Sequence, residues 1–180
     1  MSSIIRIQDL RFTEYVTPDD IADRVSAIGK ALDDRFKDVD SIITIITLKG
    51  AFMFAADLVR KMHTPMRMEM VKASSYKGGT VSTGTVELSG FSESYAGKHV
   101  LIIEDIVDSG RTIHALQDAL HEKHIASCTI TALCSKPSQH DIDISQEFVG
   151  FELQPVFIVG YGLDYKEMGR ELPGIWRCID

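Results

Sequence analysis

Apolar positions along the chain fall into two alternating periods, one helical and one of short, fully apolar runs. After Thr17-Pro18-Asp19-Asp20, Ile21, Val25, Ile28 and Leu32 recur at helical spacing, with proline and acids in the first turn. That pattern predicts a helix. Ser41-Ile42-Ile43-Thr44-Ile45-Ile46-Thr47 is short, β-branched and apolar on both faces, as a buried parallel strand is. Leu48-Lys49-Gly50 reads as a tight turn into a second helix, from Ala51 to about Met62. Met66, Met68 and Met70 alternate with Arg67, Glu69 and Val71, which predicts a strand ending near Lys72.

The texture then changes. Ser74-Ser75-Tyr76-Lys77-Gly78-Gly79-Thr80-Val81-Ser82-Thr83-Gly84 is rich in Gly, Ser and Thr, and opens a stretch of about 74–90 that reads as a functional loop. Val100 to Ile103 is again a short apolar run, and Ile113, Leu116 and Leu120 restore helical spacing. Further strands are predicted over Ala126 to Cys134 and Val156 to Gly160. Strands alternating with helices imply an α/β fold with a mostly parallel twisted sheet covered on both faces. Ligands of such sheets sit at the carboxyl ends of the strands.

Composition sharpens this picture. A chain of 180 residues, 44% hydrophobic and 25% charged, suits one domain over 1–180 with a sizeable core. The N-terminal MSSIIRIQDL lacks a basic segment followed by a long apolar one, so a cytoplasmic location without membrane insertion is expected. Cys128, Cys134 and Cys178 match no paired metal or disulfide spacing and are read as free buried thiols. His121-Glu122-Lys123-His124 lacks metal-ligand spacing and reads as a solvated helix face. A net charge of -7 argues against a nucleic-acid partner, because phosphate backbones attract clustered Lys and Arg.

The chemistry concentrates in Val100-Leu101-Ile102-Ile103-Glu104-Asp105-Ile106-Val107-Asp108-Ser109-Gly110-Arg111-Thr112-Ile113. Glu104 and Asp105 close an apolar run, and ionised carboxylates buried there without partners would be costly. Sugar hydroxyls or a hydrated divalent cation would satisfy them. Ser109-Gly110-Arg111-Thr112 turns into a helix, where backbone N–H groups, two hydroxyls and the helix dipole converge into an anion site. Hydroxyl acceptors beside a phosphate cradle fit a ribose 5-phosphate. The plainer alternative is a Ser109 cap with solvated acids.

Glu104 to Thr112 resembles the phosphoribosyl pyrophosphate (PRPP) signature of the type I phosphoribosyltransferases. Leu48-Lys49-Gly50-Ala51, Ser74-Ser75-Tyr76, Lys136-Pro137 and Phe157-Ile158-Val159-Gly160-Tyr161-Gly162-Leu163-Asp164-Tyr165 resemble the 6-oxopurine branch, the hypoxanthine-guanine phosphoribosyltransferases. Leu153-Gln154-Pro155-Val156 and Met168-Gly169 depart from that pattern. The resemblance implies a type I phosphoribosyltransferase fold with a small hood built from about 1–12 and 151–180. It implies transfer of the 5-phosphoribosyl group from PRPP to N9 of hypoxanthine or guanine, giving the nucleoside monophosphate and pyrophosphate.

Carried over residue by residue, the resemblance gives Glu104 and Asp105 to the ribose hydroxyls and to Mg2+, and Asp108 to acid/base work at the purine N7. Ser109, Gly110, Arg111 and Thr112 would bind the 5′-phosphate, and Lys49, Gly50 and Arg170 the pyrophosphate. Ser75 and Tyr76 would belong to a loop that closes over the site. Lys136 would donate to the purine O6, Phe157 would stack on the ring, and the Ile158 backbone would read its edge. Asp164, beside the base, would hold a second Mg2+. A homodimer or homotetramer is implied as well. Alternatives within the same signature are a xanthine or other-base phosphoribosyltransferase and a PRPP-binding nucleic-acid regulator.

Overall fold

The computed structural model describes residues 3–75, 86–92, 94–142 and 148–180, with the side chains of Ser74 and Ser75 left aside. Helix α1 (Pro18–Arg35) begins as its sequence dictates. The Thr17 hydroxyl accepts from the Asp20 N–H while the Asp20 carboxylate answers the Thr17 N–H, a capping box that satisfies two otherwise orphan donors. Its buried stripe is Ile21, Val25, Ile28 and Leu32.

Six strands form the main sheet: β3 (Ile42–Leu48), β4 (Met66–Ser75), β5 (Val86–Ser89), β6 (His99–Val107), β7 (Ser127–Ser135) and β8 (Phe148–Glu152), in the order β5-β4-β3-β6-β7-β8. All neighbours run parallel except β4 and β5. The sheet is covered on both faces, and β6 divides its side chains by the two-residue alternation of a strand. Leu101 and Ile103 pack with α1 and with α2 (Phe52–Val59), while Val100 and Ile102 pack with α3 (Arg111–His121). Burying Ile113, Leu116 and Leu120 of α3 against that face contributes about 1.5–3 kcal/mol per side chain.

A second, antiparallel sheet joins the two ends of the chain: β1 (Ile4–Ile7), β2 (Leu10–Val16), β9 (Ile158–Val159) and β10 (Ile175–Cys178), in the order β1-β2-β10-β9. Phe12, Val159 and Trp176 form its core.

Several boundaries differ from expectation. The strand predicted over Val156 to Gly160 shrinks to β9, and it belongs to the antiparallel sheet rather than the parallel one. Strand β4 continues to Ser75 and β5 pairs with it, so both ends of the predicted 74–90 loop are hairpin arms held by a backbone ladder. Tyr76 and most of that loop lie outside the described residues. Strand β6 runs four residues past Ile103, because β7 goes on pairing with it to Val107 after β3 has stopped at Ile103. Of the three thiols only Cys134 is buried, and burial pushes its pKa above the usual range; Cys128 and Cys178 are half-buried, and no disulfide joins them.

Asp33 ties α1 to the turn that follows α2. Its carboxylate accepts the backbone N–H of His63 (2.9 Å), that of Thr64 (3.0 Å) and the Thr64 hydroxyl (2.8 Å). Burial alone would raise its pKa, but the donors of His63 and Thr64 outweigh this and hold the carboxyl below its ordinary value. A depressed folded pKa gives stability that is present above the unfolded value and lost as pH falls through the folded one. Asp33→Ala is therefore expected to lower unfolding stability by about 1–3 kcal/mol at neutral pH. In urea melts that deficit should narrow below about pH 4; a deficit constant with pH would contradict the assignment.

Candidate active site

The parallel sheet brings three chain reversals to one edge: the ends of β3, β6 and β7. At the end of β6 the backbone turns through Asp108, Ser109 and Gly110 into α3. Gly110 has φ +87°, a left-handed conformation that glycine adopts without a steric penalty. The N-cap residue Gly110 has no side chain to cap α3, and apart from a long bond from the Arg111 N–H to the Ser109 hydroxyl (3.5 Å) the first-turn amides lack side-chain partners among the described residues. A cavity of about 90 Å³ at this turn is lined by Glu104, Val107, Asp108, Ser109, Gly110 and Thr112. The Arg111 side chain pairs with Asp141 (2.7 Å), and its backbone N–H donates to the Ser109 hydroxyl at 3.5 Å. Asp141 also donates its own N–H to the Ser109 carbonyl (3.0 Å) and braces the turn.

Glu104 is buried at the inner end of this cavity. It is 6% exposed, with one carboxylate oxygen 2.7 Å from the Thr47 hydroxyl and the other without a partner among the described residues. Burial, and then the neighbouring Asp105, pushes its pKa well above the usual carboxylate range. Asp105 is half-buried and lies against the turn after β3, where a Cβ on Gly50 would stand 1.6 Å from Asp105 Oδ2. A side chain at position 50 has no room. The Leu48–Lys49 peptide bond in this turn is cis.

Past β7, Lys136 donates its backbone N–H to Val107 (2.9 Å), which fixes it beside the phosphate turn. Its side chain is largely buried, and Nζ lies 3.8 Å from Asp108 Oδ2. A largely buried lysine thus stands next to the exposed Asp108 carboxylate of the cavity lining.

The segment around β9 carries the remaining candidate groups. Phe157 is 45% exposed and stands edge-on to Tyr165 (ring centroids 5.6 Å) and tilted to Phe12 (6.2 Å), so one face of its ring remains open. Ile158 is buried in β9. Arg170 bonds Asp164 (2.7 Å) and the Gly162 carbonyl (2.7 Å). Lys49 reaches across from the β3 turn to Glu167 (2.8 Å), and a Cβ on Gly162 would stand 2.1 Å from the Gly50 carbonyl oxygen. The 160–170 segment is therefore in contact with the turn after β3. Lys49 holds the Glu167 carboxyl below the usual carboxylate range.

No cluster of three or more His, Cys, Asp or Glu side chains forms a metal cage among the described residues. The donors present suit a different binding mode. Glu104 has an orphan buried oxygen, Asp105 is adjacent, and Mg2+ is commonly held by one or two carboxylates together with substrate oxygens and water.

Three contributors had little or no sequence signal. Thr47 is one of two buried threonines, with Thr44, in a strand whose other residues are aliphatic, a faint signal that something polar is needed there. Asp141 and Glu167 are surface acids whose partners lie 30 and 118 residues away, which no local pattern reveals. A separate cavity of about 540 Å³ between α1 and α2, lined by Ile21, Val25, Met53, Asp57, Tyr161 and Pro173, shares none of these groups.

Residues 19–166 match the phosphoribosyl transferase domain family. Hypoxanthine phosphoribosyltransferase of Salmonella typhimurium is 37% identical over 169 residues, covering 92% of this chain and 95% of its own. Hypoxanthine-guanine phosphoribosyltransferase of Bacillus subtilis is 39% identical over 161 residues, 89% of each chain. Among solved structures, a hypoxanthine phosphoribosyltransferase from Staphylococcus aureus superimposes with a TM-score of 0.85 at 35% identity, covering 92% of this chain and 90% of that one. That of Trypanosoma cruzi gives 0.87 at 33% identity, covering 97% and 94%.

Proposed function

The chain belongs to the phosphoribosyl transferase domain family, and from that membership we propose how its residues carry out purine salvage. It is a pentosyltransferase that moves the 5-phosphoribosyl group from PRPP to N9 of hypoxanthine or guanine, producing the monophosphate and pyrophosphate. One observation carries the assignment of base to site: Lys136 Nζ lies 3.8 Å from Asp108 Oδ2, immediately beside the phosphate turn. A 6-oxopurine in its N7–H form presents O6 as an acceptor beside N7–H as a donor on one edge, and an ammonium with a carboxylate at this separation addresses both.

The 5′-phosphate sits on the amides of the 109–112 turn, with the Ser109 and Thr112 hydroxyls. Phe157 stacks its open face on the base and the Ile158 backbone meets the base edge. As N9 bonds to C1′ and the C1′–O bond to pyrophosphate breaks with its electron pair, Asp108 takes the proton from N7 and Lys136 donates to O6. Lys49, the Gly50 backbone and Arg170 receive the charge that develops on the departing pyrophosphate. Mg2+ would be held by Glu104 and Asp105 at the ribose and by Asp164 at the pyrophosphate, supplying positive charge against the phosphoryl oxygens. An adenine amino group cannot accept from Lys136.

Purified protein with Mg2+ and PRPP is expected to convert hypoxanthine and guanine to their monophosphates, with adenine slower by several orders of magnitude. Chromatographic assay of the nucleotide decides it: no product from either oxopurine would overturn the reading, and equal turnover of adenine would remove Lys136 from O6.

A further inference from the structure

Glu167 occupies ground that the proposed mechanism leaves unexplained. It sits in the two-residue turn between Tyr165 and Met168, whose backbones exchange N–H to carbonyl bonds of 2.9 and 3.1 Å. Both central residues are left-handed, Lys166 at φ +50° and Glu167 at φ +65°. Turns of this kind select asparagine and glycine because a β-carbon is strained there, so Lys-Glu is a poor choice for folding alone.

The turn is pinned from both sides. Lys166 Nζ and the Tyr165 hydroxyl both bond Asp9 Oδ1, at 2.8 and 3.0 Å, and the Glu167 N–H donates to Asp164 Oδ2 at 2.8 Å. Those anchors present the Glu167 carboxylate to Lys49 at 2.8 Å and to Arg170 at 3.5 Å. The Lys49 and Glu167 side chains are 63% and 67% exposed, and ion pairs this exposed add little to stability and exchange readily.

We propose that Glu167 is an internal competitor for the pyrophosphate group: its carboxylate occupies Lys49 and Arg170 while the site is empty and retakes them as pyrophosphate departs. The inference rests on the assignment of Lys49 and Arg170 to pyrophosphate in the reading above. Two cations and two carboxylates, Asp164 and Glu167, leave this pole with no net charge. An incoming pyrophosphoryl oxygen therefore exchanges with Glu167 instead of adding to bare cations. Ground-state binding of the leaving group is weakened, and its release is faster than the two cations alone would allow.

The test is product inhibition by inorganic pyrophosphate in Glu167→Gln, Lys49→Ala and the double variant. Glu167→Gln is expected to lower the inhibition constant of pyrophosphate and the KM of PRPP by about three- to five-fold, the size of one exposed ion pair, and to leave the KM of hypoxanthine unchanged. A merely structural role for Glu167 would loosen the segment that carries Phe157 and raise both KM values. Lys49→Ala should raise the inhibition constant and cancel most of the gain from Glu167→Gln in the double variant. If Lys49→Ala weakens pyrophosphate but Glu167→Gln does not strengthen it, the competitor role is wrong and the pyrophosphate assignment stands. If Lys49→Ala leaves inhibition unchanged, the assignment itself fails and the competitor role with it.

Discussion

Asp108→Asn is expected to lower kcat by about 10²- to 10⁴-fold, the range removed with a general acid or base, while the KM of PRPP stays within a few-fold of the parent. The split follows from how the phosphate turn is built. The groups proposed to hold the phosphate are backbone amides of the 109–112 segment and two hydroxyls, shaped by the left-handed Gly110 and by Asp141, and none depends on the Asp108 carboxylate. Asn keeps the volume of Asp and can still accept at its carbonyl oxygen, but it takes no proton. Asp108 is exposed and, among the described residues, its only ion pair is the 3.8 Å approach of Lys136 Nζ, so the substitution costs the fold little. Single-turnover kinetics would separate the chemical step from product release. A parent-like rate constant for that step would remove Asp108 from proton transfer, and a PRPP KM raised as much as kcat falls would make it a phosphate-turn residue.

The sheet was legible in the sequence because its central strands are apolar on both faces, which is how β3 and β6 read before any contact is known. Helix α1 was legible for a second reason, since Thr17 and Asp20 mark its start and Ile21, Val25, Ile28 and Leu32 mark its face. Strand β8 gave no such signal: it is an edge strand of five residues, Phe-Val-Gly-Phe-Glu, buried at Gly150 alone. The antiparallel sheet was obscure for a related reason, because β1 and β2 mix arginines, glutamates and aliphatics and bury only Ile7, Phe12 and Val16. Among the residues of the candidate site, the motif marked the turn at 109–112 from β6 into α3, but it could not show that Glu104 faces Thr47 inside the protein. Alternation along a strand says that Glu104 and Asp105 point in different directions; which of them points inward depends on the neighbouring strand. The link from Lys49 to Glu167 spans 118 residues and exists only because the antiparallel sheet carries the 160–170 segment back over the β3 turn.

Gly50→Ala is expected to reduce kcat/KM for PRPP by about 100-fold or more, the cost of a misplacement of about 1 Å at reacting groups. The added methyl would stand 1.6 Å from Asp105 Oδ2 and 2.4 Å from its Cγ, far inside contact distance. Asp105 is a short side chain crowded by Glu104, so the carboxylate must swing away or the turn must back off. Either response damages the reading above: the first moves a ribose and metal ligand, and the second moves Lys49 and its amides from the pyrophosphate. Backing off is also limited from the far side, where Gly162 lies so near that a Cβ on it would stand 2.1 Å from the Gly50 carbonyl oxygen. Overpacking of this kind costs the fold about 1–3 kcal/mol, so a urea melt should still show a cooperative transition in the variant. Loss of activity with a retained fold is thus the expected signature. Activity within three-fold of the parent would mean that Asp105 tolerates a displacement larger than any ligand to ribose or metal could, and would withdraw that role from it.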